Sequence, residues 1–129
     1  MRLDDFMSYA EEMWGVEKTL LSQKGKEYTV SSPDKHENFK FIGHILGISP
    51  ELVCLVYMMK HLLSIMNYVM IGTEVSGEPI QGRINDARNY LLLLGSLICE
   101  NRKEQDYGSR KNTERQRESF DTSQNCNCS

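Results

Sequence analysis

The sequence lacks several features that would mark a particular structural class. It has only three prolines, and no segment alternates apolar and polar residues for long enough to predict a strand. The formal net charge at pH 7 is -3, which gives no general attraction to nucleic acid. No run reaches about 18 uninterrupted apolar residues, the length of a membrane span, and the acidic N-terminus lacks the apolar core of a signal peptide. We therefore expect a cytoplasmic protein with no membrane or direct nucleic-acid partner.

The four cysteines have neither metal-binding nor disulfide spacing. Cys54 and Cys99 fall within apolar helical segments, whereas Cys126 and Cys128 lie in a polar end. The sequence also contains no glycine-rich phosphate loop and no strand–turn–helix elbow around a nucleophilic serine. Any chemistry must therefore come from charged and aromatic side chains carried on helices.

Apolar residues at helical spacing predict four helices. The expected ranges are about 4–24, 33–46, 50–71 and 79–102. Ser32 followed by Pro33, and Ser49 followed by Pro50, each have the pattern of an N-cap with proline in the first turn. The expected helix ends are three glycines, Gly25, Gly47 and Gly72.

The short connections between these segments favour antiparallel neighbours. We expect an all-α, four-helix bundle-like single domain over residues 1–103, or a three-helix core crossed by a short second helix. The third and fourth helices are the most apolar and should form the inner pair. Residues 104–129 mix both charges and have almost no aliphatic side chains, so we predict a disordered tail.

Polar residues interrupt the two most apolar helices at three- and four-residue spacing. They are Tyr57, Lys60, His61, Ser64, Asn67 and Tyr68 on the third helix and Gly82, Asp86, Asn89 and Tyr90 on the fourth. Buried polar groups are costly unless they are paired. Lys60 or His61 should therefore meet Asp86 in an internal pair that fixes helix register, or the two stripes should meet a ligand. Further polar residues on the first two helices favour a ligand site.

Two ligand chemistries fit these residues. The carboxylates of Glu17, Glu37 and Asp86 would hold Mg²⁺ if three helices meet there. Phosphate would be neutralised by cationic side chains, namely Lys24, Lys26, Lys60 and Arg83. Four aromatic side chains are candidates for stacking on a base: Tyr28, Phe39, Tyr57 and Tyr90. Each aromatic taken alone is better explained by core packing.

Five short motifs, taken in order, resemble a known family. They are KGKEY (24–28), DKHENF (34–39), LGISPE (46–51), KHLLSI (60–65) and RINDARNYLLLL (83–94). Together they resemble the phage nucleotide modification-associated all-helical domain over roughly residues 10–100. That family is distantly similar to MazG-like all-α nucleotide pyrophosphatases. The resemblance implies a phage protein that handles nucleotides or their derivatives in the host cytoplasm.

The resemblance also implies a pocket. Its residues would be Lys24, Tyr28, Asp34, Asn38, Lys60, Asp86, Asn89 and Tyr90. The polar stripe of the third helix adds His61, and the cations suited to phosphate add Arg83. MazG-like enzymes hold magnesium with four carboxylates, whereas the last helix here offers only Asp86. A pocket that keeps basic and aromatic residues but lacks metal-binding acids would bind rather than hydrolyse a nucleotide.

Three functions follow as hypotheses. The first is a nucleotide-binding protein that, if it is an enzyme, is a magnesium-dependent pyrophosphohydrolase. The second is a sponge that sequesters a host immune signalling nucleotide as an anti-defence protein. The third is a non-catalytic helical module that binds a protein partner. We also expect a homo-oligomer that pairs through exposed methionines, namely Met58, Met59, Met66 and Met70.

Overall fold

The computed structural model describes the backbone of residues 1–28, 34–74 and 77–125, and the side chains of 1–23, 34–74 and 77–120. The helices in these ranges are α1 (Leu3–Tyr28), α2 (Glu37–Leu46), α3 (Pro50–Ile71) and α4 (Ile80–Asn125). The all-α helical bundle class is confirmed. The chain divides into two units, Met1–Leu97 and Ile98–Ser129, and each is described by itself.

The end of α1 differs from the prediction. The helix continues through Gly25 to Tyr28. Gly25 is not among the glycines with positive φ in the described chain, so it does not adopt the left-handed conformation of a helix cap. An interior glycine costs about 1 kcal/mol relative to alanine. The flanking Lys24, Lys26 and Glu27 are all good helix formers, which offsets that cost.

The second helix begins later than predicted, at Glu37. The carboxylate Oδ1 of Asp34 accepts a hydrogen bond from the backbone N–H of His36 at 2.9 Å, and this local turn precedes the helix. Ser32 and Pro33, the predicted cap and first residue, lie outside the described residues. The predicted end is confirmed, because Gly47 adopts the left-handed conformation with φ 67°.

Both ends of α3 are confirmed. The Ser49 hydroxyl accepts a hydrogen bond from the backbone N–H of Leu52 at 3.2 Å, and Pro50 is the first helical residue. Gly72 ends the helix with φ 80° and donates its N–H to the carbonyl of Tyr68. The local sequence is therefore sufficient to determine the limits of this helix.

Gly43 marks the closest approach of α2 to the chain that leads into α3. A Cβ at this position would lie 2.7 Å from the carbonyl oxygen of Ile48, which is backbone and cannot move cheaply. We expect Gly43→Ala to lower the free energy of unfolding by about 1–3 kcal/mol, the usual cost of overpacking. Gly15→Ala is the control, because a methyl group at that position would have no atom within 4 Å and alanine is the better helix former, by about 1 kcal/mol. Urea unfolding of both variants should give effects of opposite sign, and a stable Gly43→Ala protein would contradict the packing described.

The fourth helix continues well beyond Arg102, to Asn125. The described side chains from 102 to 120 are all exposed, as the composition predicts, but the backbone is helical where a disordered tail was expected. Low hydrophobicity predicts the absence of packing, not the absence of helix. This segment has no proline and many Glu, Arg, Gln and Lys residues, which favour helix. Within it, the ammonium of Lys111 lies 4.6 Å from the centre of the Tyr107 ring.

The buried apolar cluster of the first unit joins α2, α3 and α4. Its buried members are Phe39, Val53, Cys54 and Leu97, with Ile42, Ile48, Tyr90, Leu93 and Leu94 packed around them. The expectation that α3 is an inner helix is only half right, because one side of it is exposed. By length and composition, with a mean hydropathy of 1.5, α3 would also suffice to cross a membrane, and 22% of that window is buried.

Candidate ligand site between α3 and α4

The first half of α4 has two polar faces. One face meets α1, where the Gln81 amide contacts the sulfur of Met13 at 3.3 Å and Arg88 binds the carboxylate of Glu17 at 3.1 Å. The other face meets α3 and carries Arg83, Asp86 and Tyr90. Helical periodicity explains the separation, because residues 81 and 88 lie on a different side of the helix from 83, 86 and 90.

His61 and Asp86 form the centre of the face between α3 and α4. The imidazole Nδ1 lies 3.7 Å from the carboxylate Oδ2, and both side chains are largely buried. Lys60, the other predicted partner, is exposed. The predicted pairing of the two helices is therefore confirmed through His61, and its alternative through Lys60 is corrected.

Burial governs the protonation of His61. Removal from water disfavours the charged imidazolium and lowers the pKa of His61 below its ordinary value of 6.5. The Asp86 carboxylate opposes this effect, while the positive charges of Lys60 and Arg83 add to it. His61 is therefore neutral at pH 7 and has one nitrogen available to accept a hydrogen bond.

This lowered pKa makes stability depend on pH. Below pH 6.5 the unfolded chain takes up a proton that the folded imidazole resists, so the free energy of unfolding should fall as pH is lowered through and below 6.5. The contribution of Asp34, whose pKa is also lowered, is lost only below about its ordinary 3.8. We expect His61→Gln to flatten the profile between pH 7.5 and 5.5. Urea unfolding at several pH values checks this, and parallel profiles for both proteins would contradict it.

Aromatic rings form a wall beside this pair. The ring of Tyr90 stacks on Tyr57 with 6.3 Å between centroids and an interplanar angle of 2°. It also lies 5.5 Å from the His61 ring. Phe39 meets the other side of Tyr57 edge-on at 6.2 Å. Tyr57 and Tyr90, both predicted to stack on a base, are thus stacked on each other.

A cleft of about 230 Å³ adjoins this layer where α3 ends and α4 begins. It is lined by Ser64, Asn67, Tyr68, Thr73, Glu74, Glu78, Ile80 and Arg83. The guanidinium of Arg83 pairs with the Glu78 carboxylate at 2.9 Å. Glu74 accepts a hydrogen bond from the backbone N–H of Ile80 at 3.0 Å and so caps the start of α4.

Three buried polar atoms on α3 and α4 make no hydrogen bond to any described residue. They are Nδ1 of His61, Nε of Arg83 and Oδ1 of Asn89. His61 and Asn89 are only 5% and 6% exposed. A buried polar group without a partner costs about 1–3 kcal/mol. Nε of Arg83 adjoins the cleft and Nδ1 of His61 faces Asp86, and no described residue gives any of the three atoms a hydrogen bond.

Other predicted site residues lie elsewhere or cannot be placed. Asp34 binds the ammonium of Lys40 at 2.9 Å, and the neighbouring His36 contacts the Ser96 hydroxyl at 2.7 Å. Ser96 follows Asp86 by ten residues, about 15 Å along a helix. Asn38 is exposed. The structure thus separates Asp34 and Asn38 from the layer, which corrects the single predicted pocket.

The side chains of Lys24 and Tyr28 lie outside those that the structure describes. The predictions made for them therefore stay predictions. Lys60 is exposed beside the layer, whereas His61, Arg83, Asp86 and Tyr90 are brought together as expected. Asn89 is buried on α4, and its predicted place in the site stays a prediction.

The three carboxylates predicted to hold magnesium do not meet. Glu17 binds Arg88, Asp86 lies beside His61, and Glu37 is exposed at the start of α2. Among the described side chains, these three do not approach within the 4.8 Å needed to share an ion. This ligand set is corrected because Glu17 faces α4 from α1, on the opposite side from α3.

Sequence reasoning missed the contribution of the turn between α3 and α4. Thr73, Glu74 and Glu78 line the cleft, although the turn had been interpreted only as a connection. The signal was present, because two acids in the turn precede a basic residue in the first turn of the next helix. The layer against α1 was also missed, although Gln81, Asn85 and Arg88 recur at intervals of four and three residues.

Comparisons with protein-family models, curated proteins and solved structures find no match to this chain. The fold and the site define an all-α bundle with a polar layer and a cleft between two helices. Its function must be inferred from that geometry.

Proposed function

We propose that the protein binds a nucleotide or a nucleotide-derived small molecule in the cleft between α3 and α4. The observation that carries this proposal is an open cleft lined by Arg83, whose buried Nε–H has no hydrogen-bond partner among the described residues. A ligand that supplies an acceptor for this donor would remove its cost. The resemblance of the sequence motifs to nucleotide-handling proteins supports the same ligand class.

The lining side chains suit the parts of a nucleotide. Arg83 presents a planar guanidinium, which matches the geometry of phosphate oxygens. Its present partner Glu78 has a side chain 42% exposed, and an exposed ion pair contributes at most about 1 kcal/mol. Phosphate can therefore replace Glu78 at little cost. Tyr68 offers a ring face for a base.

Binding is favoured over hydrolysis by the donor set. The carboxylates near the cleft are each engaged: Glu74 caps the start of α4, Glu78 pairs with Arg83, and Asp86 lies beside His61. Metal-assisted hydrolysis of a triphosphate requires several oxygen ligands on one ion. A binding protein or sponge needs none of these, which is why we place sequestration ahead of hydrolysis.

A nucleotide panel tests this proposal. Pure protein is incubated with canonical triphosphates and cyclic signalling nucleotides, with and without Mg²⁺, and the solution is analysed by chromatography. We expect one compound to be depleted and to return intact when the protein is heated. Its conversion to products would show an enzyme. No change in any compound would contradict the proposed function.

Arg83→Ala locates the binding within the structure. We expect Arg83→Ala to raise the Kd for the depleted compound at least about tenfold, since a charge-assisted hydrogen bond contributes roughly 1.5–3 kcal/mol. Arg102→Ala is the matched control, because it removes the same charge from an exposed position on the same helix. Equal loss in both variants would indicate a nonspecific effect of charge.

A further inference from the structure

Six exposed apolar side chains on α3 repeat at alternating intervals of four and three residues. They are Leu52, Val56, Met59, Leu63, Met66 and Met70, and we name them the α3 seam. Each is between 45% and 78% exposed. The alternation of four and three residues is the spacing of a and d positions in a coiled coil, and it places all six along one side of the helix.

Three more exposed side chains, Leu55, Leu62 and Val69, widen the α3 seam along one edge. Weighted by their exposed fractions, the nine side chains present on the order of 800 Å² of apolar surface. A partner that covered all of this surface would bury about 800 Å² of it, as much as one side of a standard protein interface. This surface also exceeds the largest apolar patch of a typical monomer, roughly 300–600 Å².

We propose that two copies of this chain pair through the α3 seam. A seam with this spacing is complementary to a second helix of the same spacing, because each side chain enters a gap between four others. The charged residues of α3 are Glu51 and Lys60, and both lie off the seam. The seam therefore carries no charge with which to attract a charged partner. The identical apolar seam of a second copy matches it in both chemistry and spacing.

The opposite side of α3 distinguishes pairing from membrane insertion. That side packs against α4 and carries His61, with Asp86 and Arg83 directly behind it. Immersing α3 in a bilayer would bring these ionisable groups near hydrocarbon, where charged groups are strongly disfavoured. Pairing through one stripe covers the apolar surface and leaves the polar layer within the protein.

The pairing proposal rests on different residues from the proposed ligand site. Ser64 and Tyr68, which line the cleft, each lie two residues from Met66 and hence on the other side of the helix. The lining residue Asn67, by contrast, lies one turn after Leu63 at the edge of the seam. One correction applies to the methionines expected to pair, because Met58 is buried in the first unit and is only 7% exposed. Met59, Met66 and Met70 belong to the seam.

Sedimentation velocity over a range of micromolar concentrations tests the pairing. We expect the full chain to sediment as a dimer. The double variant Met59→Glu, Met66→Glu places two carboxylates on the seam and should weaken dimerisation at least about tenfold. The control is Leu91→Glu, which adds a carboxylate at a 54% exposed position of α4 and should leave the dimer intact.

If the glutamate variant loses its helical circular dichroism, a second double variant, Met59→Gln with Met66→Gln, takes its place. Glutamine preserves the side-chain length but is polar, so this variant should also weaken dimerisation. A wild-type monomer would overturn the proposal. So would a dimer that the seam variants leave unchanged. The proposal would also be overturned if the wild type does not dimerise but sediments with neutral phosphatidylcholine vesicles. That result would assign the seam to a lipid surface.

Discussion

Leu97→Ala is expected to lower the free energy of unfolding by about 2–5 kcal/mol, the usual cost of emptying a buried leucine site. Leu97 is 2% exposed and belongs to the cluster that joins α2, α3 and α4. The described core has few fully buried large side chains. When one of them is removed, few neighbours are available to move into the cavity.

Leu91→Ala is the matched control for this experiment. It makes the same chemical change on the same helix, but Leu91 is 54% exposed. We expect an effect within about 0.5 kcal/mol, as for ordinary surface substitutions. Urea unfolding followed by circular dichroism measures both variants. Similar effects for Leu91 and Leu97 would contradict the position of the core.

Arg88→Ala is expected to destabilise the protein by about 3 kcal/mol, since it leaves the Glu17 carboxylate buried without its partner. The Glu17 side chain is only 10% exposed, and Arg88 approaches it to 3.1 Å. The loss reflects the unpaired charge rather than the net contribution of the pair. Removing both charges should therefore recover much of the stability.

A double-mutant cycle measures that recovery. Glu17→Gln, Arg88→Met and their combination are compared by urea unfolding, and the double variant should be more stable than the sum of the single effects predicts. Strict additivity would mean that the two side chains do not interact. It would also reopen the possibility that Glu17 serves a ligand instead of Arg88.

Local sequence predicted the ends of α3 because their determinants are local. Ser49, Pro50 and Gly72 act within one turn of the helix end. The start of α2 was not predictable in the same way, because the Asp34 carboxylate forms a competing turn with the N–H of His36. The prediction that Gly25 ends α1 was wrong, because the residues after Gly25 continue the helix to Tyr28. A glycine ends a helix only where the residues that follow it do not continue the helix.

The site was predictable where helical spacing determines which side chains face each other. Asp86 and Tyr90 were found in this way, as was the choice of α3 as their neighbour. Spacing did not distinguish Lys60 from His61, because adjacent residues differ by only about 100° around the helix. The structure assigns the contact to His61.

The residues that the sequence misplaced depend on how helices cross. Asp34 and Asn38 were grouped with Asp86, but His36 contacts Ser96, further along α4. Glu17 was also grouped with Asp86. However, Glu17 approaches α4 from α1, on the side of α4 opposite to the one where Asp86 faces α3. A crossing position arises from long-range packing, which no short motif encodes.

The central claim is that the cleft between α3 and α4 receives a ligand that pairs with the unsatisfied Nε–H of Arg83. The most direct measurement is the ¹H–¹⁵N NMR signal of the Arg83 Nε–H, a buried donor with no acceptor among the described residues. Addition of the compound that the protein retains should move this signal downfield, as the donor gains a phosphate oxygen. An Arg83 signal that stays in place while the compound is bound would contradict the account.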